Sequence, residues 1–367
     1  DSYGNFFDRK SLNNISIAHR RLSIIDLSEK GNQPMKSKNG RYVIAFNGEI
    51  YNHKWIKRKI DNIKNVSWDG TSDTEILLES IQTFGIKETL KLAVGMFAIA
   101  LLDNQENELF LVRDRFGEKP LYYGFIGTGK ERCLVFASEI SAIIKIPFFK
   151  KEINPTSLDH FFRLSYVPNH LSIFKNISKV KAGSMSIFNL DKDLFNQKET
   201  ILKWFNYEKL YSINKNNKFK SENEALDELD KVIKSTTLEQ SVSDVPLGCL
   251  LSGGIDSSLI ASTLQNTLSK KIDTFTIGFE NDKFDESKYA KKVASYLGTN
   301  HNEFILQPQE ALNIIYDLPK IYSEPFADAS QIPTALISRN IKNSGITVAL
   351  SGDGGDELFG GYVRHYM

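Results

Sequence analysis

The hydrophobic pattern changes character near residue 200, and this change limits the chain to folds that combine two different domains. Before that point, short apolar runs rich in β-branched and aromatic residues recur, separated by turn signals such as Asn39-Gly40 and Asn47-Gly48. After residue 222, short apolar runs alternate with segments of helical period. The first pattern is typical of a layered α+β domain with mostly antiparallel strands. The second is typical of a parallel sheet with helices on both faces.

The two patterns are separated by a polar segment. Residues 191–222 are rich in Lys and Asn and show little periodicity, so we expect an exposed connection there. We therefore predict a first domain over 1–195, a linker over 196–222 and a second domain over 223–367. The length of 367 residues agrees with two domains, because a single hydrophobic core rarely grows that large.

Composition excludes several classes of partner. The 46 basic and 45 acidic residues leave a net charge of +1, so no global basic field exists to hold a nucleic acid or an anionic membrane. The longest apolar run, residues 92–102, is too short for a bilayer, which needs about 20 residues. Without a signal peptide, Cys133 and Cys249 indicate reduced thiols in a cytoplasmic protein. We expect small-molecule partners, and we leave open a homodimer, since the sequence does not specify the oligomeric state.

The string LLSGGIDSS (250–258) follows an apolar strand and opens a helix. Gly253 and Gly254 allow a ligand to approach the backbone, and the helix N-terminus and serine hydroxyls offer donors to an anion. The string is neither a Walker A loop nor a dinucleotide fingerprint. Asp256 would repel a phosphate unless a divalent cation lies between them, so the motif indicates Mg²⁺. An ordinary capped strand-to-helix turn is the alternative.

The string SGDGGDELFGGY (351–362) directly follows another apolar strand, 346–350. Its glycines, interleaved with Asp353, Asp356 and Glu357, exceed the needs of a simple turn. Asp353 and Asp356 would share a metal with Asp256, or one of them would handle a proton. Capping of a helix by Asp356 or Glu357 is the alternative. Together the two strings are much stronger than either alone, because both lie at carboxyl ends of strands, where parallel sheets bind ligands.

Three strings in the first half suit a zwitterionic amino acid. HRRLSIID (19–26) contains Arg21, whose forked guanidinium matches a carboxylate. NGEIYN (47–52) offers an amide, a glycine for close approach and Glu49, and Asp73 lies at a helix start after Ser72. The two carboxylates suit an ammonium group. Taken singly, a surface arginine, a hairpin turn and a helix cap would explain them.

At this point the chain resembles the glutamine-hydrolysing asparagine synthetases of the asparagine synthetase B type. The resemblance covers nearly the whole chain, because HRRLSIID, FNGEIYNH, SDTE, LLSGGIDSS and SGDGGDELFGGY occur in the right order, with RDRFGEKPLYY (113–123) between the third and the fourth. It implies an α+β N-terminal-nucleophile glutaminase domain with αββα layers. This domain would be joined to an α/β PP-loop (ATP-pyrophosphatase) domain with a parallel sheet.

The resemblance also implies site residues. Asn47 and Gly48 would form the oxyanion hole of the glutaminase, and Asp353 would act in forming the acyl-adenylate and its aminated product. The expected Mg²⁺ ligands are Asp256 and Asp356. The glutamine-binding set would be Arg21, Leu22, Ser23, Ile24, Ile25, Asn47, Gly48, Glu49 and Asp73. The ATP-binding set would be Leu250, Ser252, Gly253, Gly254, Ser257, Ile277, Ser351 and Gly352.

The implied enzyme is a carbon–nitrogen ligase that makes asparagine from aspartate, with ATP as substrate, Mg²⁺ as cofactor and glutamine as nitrogen donor. The reaction would pass through an aspartyl-adenylate and release pyrophosphate and AMP. Two alternatives stay open. One is a sister amidotransferase acting on another carboxylate, such as a sugar uronic acid. The other is a non-catalytic remnant that binds nucleotide or glutamine, against which the intact Asp256, Asp353 and Asp356 argue.

Two departures from the family pattern lead us to expect an internal fragment of a complete enzyme, with a degenerate gene product as the alternative. The family glutaminase uses the thiol of an N-terminal cysteine, whereas residue 1 here is Asp. The family synthetase domain also continues beyond the position of Met367, with a pyrophosphate-binding lysine and part of the acceptor pocket.

Overall fold

A computed structural model of the chain describes residues 2–8, 14–129, 132–192, 199–280 and 285–362. The chain divides into two compact units. The first comprises Asp1–Asn216 together with Tyr322–Ala327, and the second comprises Asn217–Ile321 and Asp328–Met367.

The first unit is built from antiparallel strands and short helices. Its strands are β1 (Ser2–Asp8), β2 (Ile15–Arg21), β3 (Met35–Lys36), β4 (Tyr42–Ile50), β5 (Gly95–Asp103), β6 (Glu108–Arg113), β7 (Tyr122–Ile126), β8 (Cys133–Ala137), β9 (Ile177–Lys179), β10 (Ser184–Asn189) and β11 (Thr200–Lys203). Its helices are α1 (His53–Asp61), α2 (Asp73–Phe84), α3 (Ile86–Leu92), α4 (Ile140–Ile143), α5 (Pro155–Leu164) and α6 (Tyr207–Asn214), with a 3-10 turn at Glu29–Gly31.

These elements stack in four layers. A six-stranded sheet has the order β11-β10-β6-β5-β4-β3, beside a three-stranded sheet β8-β7-β9 and the pair β1-β2. Alternate residues of β5 divide between two cores: Phe97 and Ile99 pack with α1, α2 and α3, whereas Ala98 and Ala100 pack with β2, β7 and β8. The outer face of the three-stranded sheet is covered by α4 and α5. The αββα arrangement expected from the resemblance is therefore confirmed, and β5 reads as a continuous apolar run because both of its faces are buried.

The predicted linker over 196–222 contains regular structure among its described residues. β11 adds an edge strand to the six-stranded sheet by pairing with β10, and α6 follows it. Trp204 stacks on the buried Phe97 at a centroid distance of 6.0 Å and joins the core beneath α1–α3. The polar composition of the segment did not predict this strand, because only one face of an edge strand packs against the core.

The second unit is an α/β domain. Its strands are β12 (Leu247–Leu250), β13 (Asp273–Phe279), β14 (Asn300–Leu306) and β15 (Val348–Leu350), all parallel, in the order β14-β13-β12-β15. Its helices are α7 (Glu222–Gln240), α8 (Ile255–Thr267), α9 (Ser287–Leu297), α10 (Pro308–Ile315), α11 (Leu318–Ile321), α12 (Gln331–Asn343) and α13 (Gly355–Phe359). α8 and α9 pack on one face of the sheet and α12 on the other, which confirms the parallel, doubly wound arrangement.

The segment between α11 and α12 belongs to the first unit. Ala327 donates its backbone N–H to the Ser165 carbonyl at 2.8 Å, and Tyr166 forms an isolated antiparallel bridge with Phe326. Glu324 forms a buried ion pair with Lys179 and accepts the Ile173 N–H at 2.7 Å. The predicted boundaries did not include this excursion, because the contacts that hold it join residues about 150 positions apart.

Candidate functional site

A cavity of about 160 Å³ lies in the first unit, where β2 ends beside the middle of β4 and the start of α2. Three segments far apart in sequence meet there, because β2 contacts β4 and α2 packs against β4. Its wall is formed by His19, Arg20, Arg21, Leu22, Ile24, Ile25, Gln33, Phe46, Asn47, Gly48, Glu49, Asp73, Thr74, Met96 and Lys119.

The structure brings together the residues predicted to bind glutamine. All of them except Ser23 line this cavity, and Ser23 is half-buried in the loop that follows β2. Arg21 ends β2, whereas Asn47, Gly48 and Glu49 follow one another on β4. Asp73 begins α2, where the Ser72 hydroxyl accepts the Glu75 N–H at 3.2 Å as the predicted cap.

Gly48 is fixed by the close approach of β5. A Cβ added at this position would lie 2.1 Å from the Met96 carbonyl oxygen and 2.7 Å from the Phe97 Cα, so no other residue fits without moving the strand. The neighbouring Asn47 amide donates to the Ser138 hydroxyl at 3.1 Å. The strand thus presents the Asn47 amide and the Gly48 backbone at one edge of the cavity.

Arg21 is buried and bonded to the loop that follows it. Its Nη2 donates to the carbonyls of Ile25 at 2.9 Å and Asp26 at 2.6 Å, and its Nη1 donates to the Ser28 carbonyl at 3.2 Å. The guanidinium therefore shapes the loop 22–28 that forms one wall of the cavity. Both Nη2 hydrogens are used in this way, so a bidentate grip on a carboxylate would need this side chain to rearrange.

Two buried carboxyl groups share the cavity. Asp73 accepts the Ile50 N–H at 2.9 Å, and burial raises the pKa of its carboxyl to about 6. Burial raises the pKa of Glu49 to about 7; the nearby Asp73 adds to this rise, while Lys119 opposes it. Both groups lie in surroundings that penalise an isolated negative charge, so a cationic ligand would stabilise their ionised forms.

Several cavity residues were not predicted as ligand-binding. Gln33 accepts the Phe46 N–H at 2.6 Å and donates to the Thr74 hydroxyl at 3.3 Å, so it ties β4 to the start of α2. His19 approaches the Phe46 carbonyl through Nε2 at 3.1 Å. Lys119 belongs to the string RDRFGEKPLYY, which supported the family resemblance but received no role.

Neither cysteine lines the cavity. Cys249 is fully buried in β12, where desolvation raises the pKa of its thiol to about 12, and Cys133 is half-buried on β8 with a pKa that burial also raises. Neither thiol forms a disulfide, and both are poorly suited to act as nucleophiles.

The second unit brings its two glycine-rich strings into contact. They leave the carboxyl ends of β12 and β15, which are adjacent in the sheet, whereas β13 follows β12 in sequence on the other side. This reversal of strand order is where parallel sheets open a binding crevice. A Cβ at Gly352 would lie 2.8 Å from the Ser257 nitrogen, and one at Gly355 would lie 2.5 Å from the Asp256 carboxylate.

The first string forms a turn organised by serine hydroxyls. Ser252 donates its N–H to the Ser257 hydroxyl at 3.1 Å, and the two hydroxyl oxygens lie 2.9 Å apart. Gly253 has φ +82°, and a Cβ there would lie 2.5 Å from the Ala290 nitrogen in α9. Only glycine meets both demands. Gly254 is the N-cap of α8, so the N–H groups of the first helical turn lie beside these hydroxyls.

The remaining predicted ATP-site residues lie on the same strands and loop. Leu250 ends β12 and Ile277 lies on β13, and both pack in the core between the sheet and α12. Ser351 accepts the Asp353 N–H at 3.3 Å, and Asp353 itself is exposed. Asp356 lies in the first turn of α13. The alternative that Asp356 caps this helix is not met, since Gly354 occupies the cap position.

The donor set at this crevice fits Mg²⁺. Among the described residues, no three His, Cys, Asp or Glu side chains are arranged to hold a metal ion by themselves. Mg²⁺ commonly takes only one or two protein carboxylates and completes its shell with water and substrate phosphates. The half-buried Asp256 lies against Gly355, the residue before Asp356, so two carboxylate side chains come from adjoining turns.

Comparison with known proteins gives a family match for each half of the chain. Residues 1–199 match the family model of the glutamine amidotransferase domain, and residues 228–367 match that of asparagine synthase. A putative asparagine synthetase [glutamine-hydrolyzing] 2 from Methanocaldococcus jannaschii is 34% identical over 96% of this chain and 67% of its own length. Asparagine synthetase [glutamine-hydrolyzing] 1 from Bacillus subtilis is 34% identical over 99% of this chain and 53% of its own length.

A plant relative, asparagine synthetase [glutamine-hydrolyzing] 2 from Oryza sativa subsp. japonica, is 31% identical over 95% of this chain and 52% of its own length. The chain thus spans between half and two thirds of these relatives. A solved amidotransferase structure, glutamine phosphoribosylpyrophosphate amidotransferase from B. subtilis, is 15% identical over 92% of this chain and 66% of its own, with a TM-score of 0.34, a likeness too weak to add to the family matches.

The fold and the two family matches define a protein that joins a glutamine amidotransferase domain to an asparagine synthase domain. The chain belongs to the glutamine-hydrolysing asparagine synthetase family, as the resemblance predicted. None of the helices in the described part of the chain combines the length and apolar composition needed to cross a bilayer.

Proposed function

We propose that this chain contributes the glutamine site and the nucleotide site of a glutamine-dependent asparagine synthetase. The observation that carries the proposal is the cavity in the first unit, whose wall joins Glu49 and Asp73 with Asn47 and Gly48. The first pair suits the α-ammonium of an amino acid, and the second suits the oxygen of a side-chain amide under attack. Membership of the family extends this reading to the second unit.

In the glutamine site, Glu49 and Asp73 would hold the α-ammonium, because two buried carboxylates gain most from a cationic partner. Arg21 would keep the loop 22–28 in place and offer its remaining donors to the α-carboxylate. Asn47 and Gly48 would donate hydrogen bonds to the developing oxyanion of the tetrahedral intermediate. We expect the nucleophile to be the N-terminal cysteine that the family resemblance implies.

In the nucleotide site, the turn 252–257 and the start of α8 would hold the pyrophosphate of ATP through N–H and hydroxyl donors. Ser351 and Gly352 would contact ATP from the neighbouring loop, and Leu250 and Ile277 would border adenine. Asp256 and Asp356 would hold Mg²⁺, which neutralises phosphate charge when bound. Asp353, exposed beside this crevice, would act on the acyl-adenylate and its amination.

The proposed reaction begins with hydrolysis of glutamine to glutamate and ammonia. The side-chain carboxylate of aspartate would attack the α-phosphate of ATP, forming an aspartyl-adenylate and releasing pyrophosphate. Ammonia would then displace AMP to give asparagine. In the second unit, the positioning of aspartate and ATP would supply much of the rate, because the protein itself forms no covalent bond there.

The complete reading frame tests the proposal through pyrophosphate release from Mg-ATP, with ammonium present and carboxylic acids supplied one at a time. We expect release that depends on aspartate, with asparagine as product. Release with a different acid, such as a uronic acid, would instead support the sister amidotransferase. A folded protein that releases no pyrophosphate with any of the acids tried would support a non-catalytic remnant.

Three further expectations concern the location, the oligomeric state and the domain boundaries. A cytoplasmic location is supported by two thiols that are not joined in a disulfide. A homodimer is tested by sedimentation equilibrium of the complete protein. The domain boundaries 1–195 and 223–367 are tested by limited proteolysis, which should cut between α6 and α7.

A further inference from the structure

The cavity in the first unit holds more buried negative charge than its predicted residues balance. Glu49 is 5% exposed and Asp73 is 6% exposed, and the charge of Asp73 acts on Glu49. Arg21 is the cation that faces Asp73. The cation that acts on Glu49 is Lys119, which the predicted glutamine-binding set did not contain.

The backbone of Lys119 is fixed by hydrogen bonds at both its N–H and its carbonyl. Its N–H donates to the Asp114 carboxylate at 2.9 Å, and its carbonyl accepts from Arg113 Nε at 2.9 Å. Asp114 is fully buried and also accepts the N–H groups of Phe97, Phe116, Gly117 and Glu118. One buried carboxylate thus fixes the whole turn 114–119 and ties it to β5, the strand beside Glu49.

Arg20 and Arg21 also bring positive charge to the cavity wall, but Lys119 is the cation that acts on Glu49, and it acts on Glu118 as well. Asp73 on α2 is acidic, and Tyr51, which follows β4, is a neutral phenol whose pKa is raised by burial and by nearby carboxylates. Met96, the β5 partner of Glu49, is uncharged. From β2, His19 and Arg20 line the same cavity, and burial lowers the pKa of His19 so that its ring is neutral near pH 7.

We propose that Lys119 is a positioning residue of the glutamine cavity, which keeps Glu49 negatively charged so that this carboxylate holds the α-ammonium of the amino acid. The inference rests on the proposed function of the cavity and adds a residue to it. It assigns a purpose to the rigid turn 114–119: a lysine on a mobile loop would have to be ordered each time the ligand binds, whereas here its backbone is already in place.

The sign of the effect follows from the charges. Glu49 titrates near pH 7 with Lys119 present. The Lys119 ammonium group lowers the Glu49 pKa. Removing it would therefore raise that pKa, so Glu49 would ionise only at a higher pH. An opposite charge near a carboxyl group typically changes its pKa by roughly one unit. One unit corresponds to roughly a tenfold change in the ionised fraction below the pKa.

The experiment measures the dissociation constant of L-glutamine on the 367-residue chain by calorimetry between about pH 6 and pH 9. Lys119→Met removes the charge, and Lys119→Arg keeps it. Lys91→Met is the matched control, because Lys91 is exposed and pairs with Glu88 outside the cavity. Asp73 is unchanged in all four proteins. Its own titration therefore cancels when the dissociation constant of each variant is divided by that of the unaltered chain at the same pH.

We expect Lys119→Met to bind glutamine roughly tenfold more weakly near pH 6 and within about twofold of the unaltered chain near pH 9. Lys119→Arg and Lys91→Met should follow the unaltered chain. An equal loss at every pH would overturn the inference, since it would indicate direct ligand contact or a structural role. An unchanged pH profile would overturn it too and leave the glutamine site intact. Failure of the unaltered chain to bind glutamine would contradict the proposed function itself.

Discussion

The ion pair between Lys179 and Glu324 gives the sharpest stability prediction. Both side chains are buried, with exposed fractions of 9% and 8%. Lys179 also donates to the Val167 carbonyl at 3.1 Å, and Glu324 accepts the Ile173 N–H at 2.7 Å. Burial lowers the pKa of Lys179, and Glu324 opposes this change, so the lysine depends on its partner to stay charged.

Lys179→Met should leave the Glu324 carboxylate buried without its counter-charge. Breaking such a pair typically costs about 3–5 kcal/mol, whereas replacing both partners by neutral groups costs far less. With an urea slope of about 2–3 kcal/mol/M for a unit of this size, the unfolding midpoint should fall by roughly 1–2 M. The double variant Lys179→Met/Glu324→Gln should recover part of that loss.

Tryptophan fluorescence reports this unfolding selectively, because Trp55, Trp68 and Trp204 all lie in the first unit. The matched control is Lys175→Met. Lys175 pairs with Glu152 at 3.4 Å, but the two side chains are 49% and 56% exposed, so its loss should cost under about 1 kcal/mol. Equal midpoints for Lys179→Met and Lys175→Met would refute the reasoning, as would a double variant whose loss equals the sum of its single variants.

Three further predictions follow from the two sites. Glutamine binding should weaken as the pH falls from about 8 to 5, because Glu49 and Asp73, with pKa values of about 7 and about 6, gain protons over that range; calorimetry across it checks this, and pH-independent binding would contradict it. Gly352→Ala would bring a Cβ to 2.8 Å from the Ser257 nitrogen, so pyrophosphate release should fall at least tenfold while unfolding followed by far-UV circular dichroism is unchanged; equal activity would show that the two loops separate freely. A thiol reagent should label Cys133 well before Cys249 in the folded chain, as mass spectrometry of the peptides would show, because Cys249 is fully buried with a thiol pKa near 12; equal rates would contradict that burial.

Much of the local structure was predictable from neighbouring residues. Ser72 placed the start of α2, because its hydroxyl accepts the Glu75 N–H, while the Glu75 carboxylate accepts the N–H groups of Asp69 and Gly70. The glycine-rich turns after β12 and β15 were also predictable, because a strand that ends in small residues and opens a helix has few alternatives.

Tertiary structure decided which charges meet. The sequence alone determined the two domain classes and the glycine-rich turns, since each depends on hydrophobic period or on residues close in the chain. It did not indicate that Lys119 acts on Glu49, or that Glu324 returns to Lys179 in the first unit. Both depend on strand order and burial, because a charge far along the chain acts strongly only after folding brings it close and removes the water between.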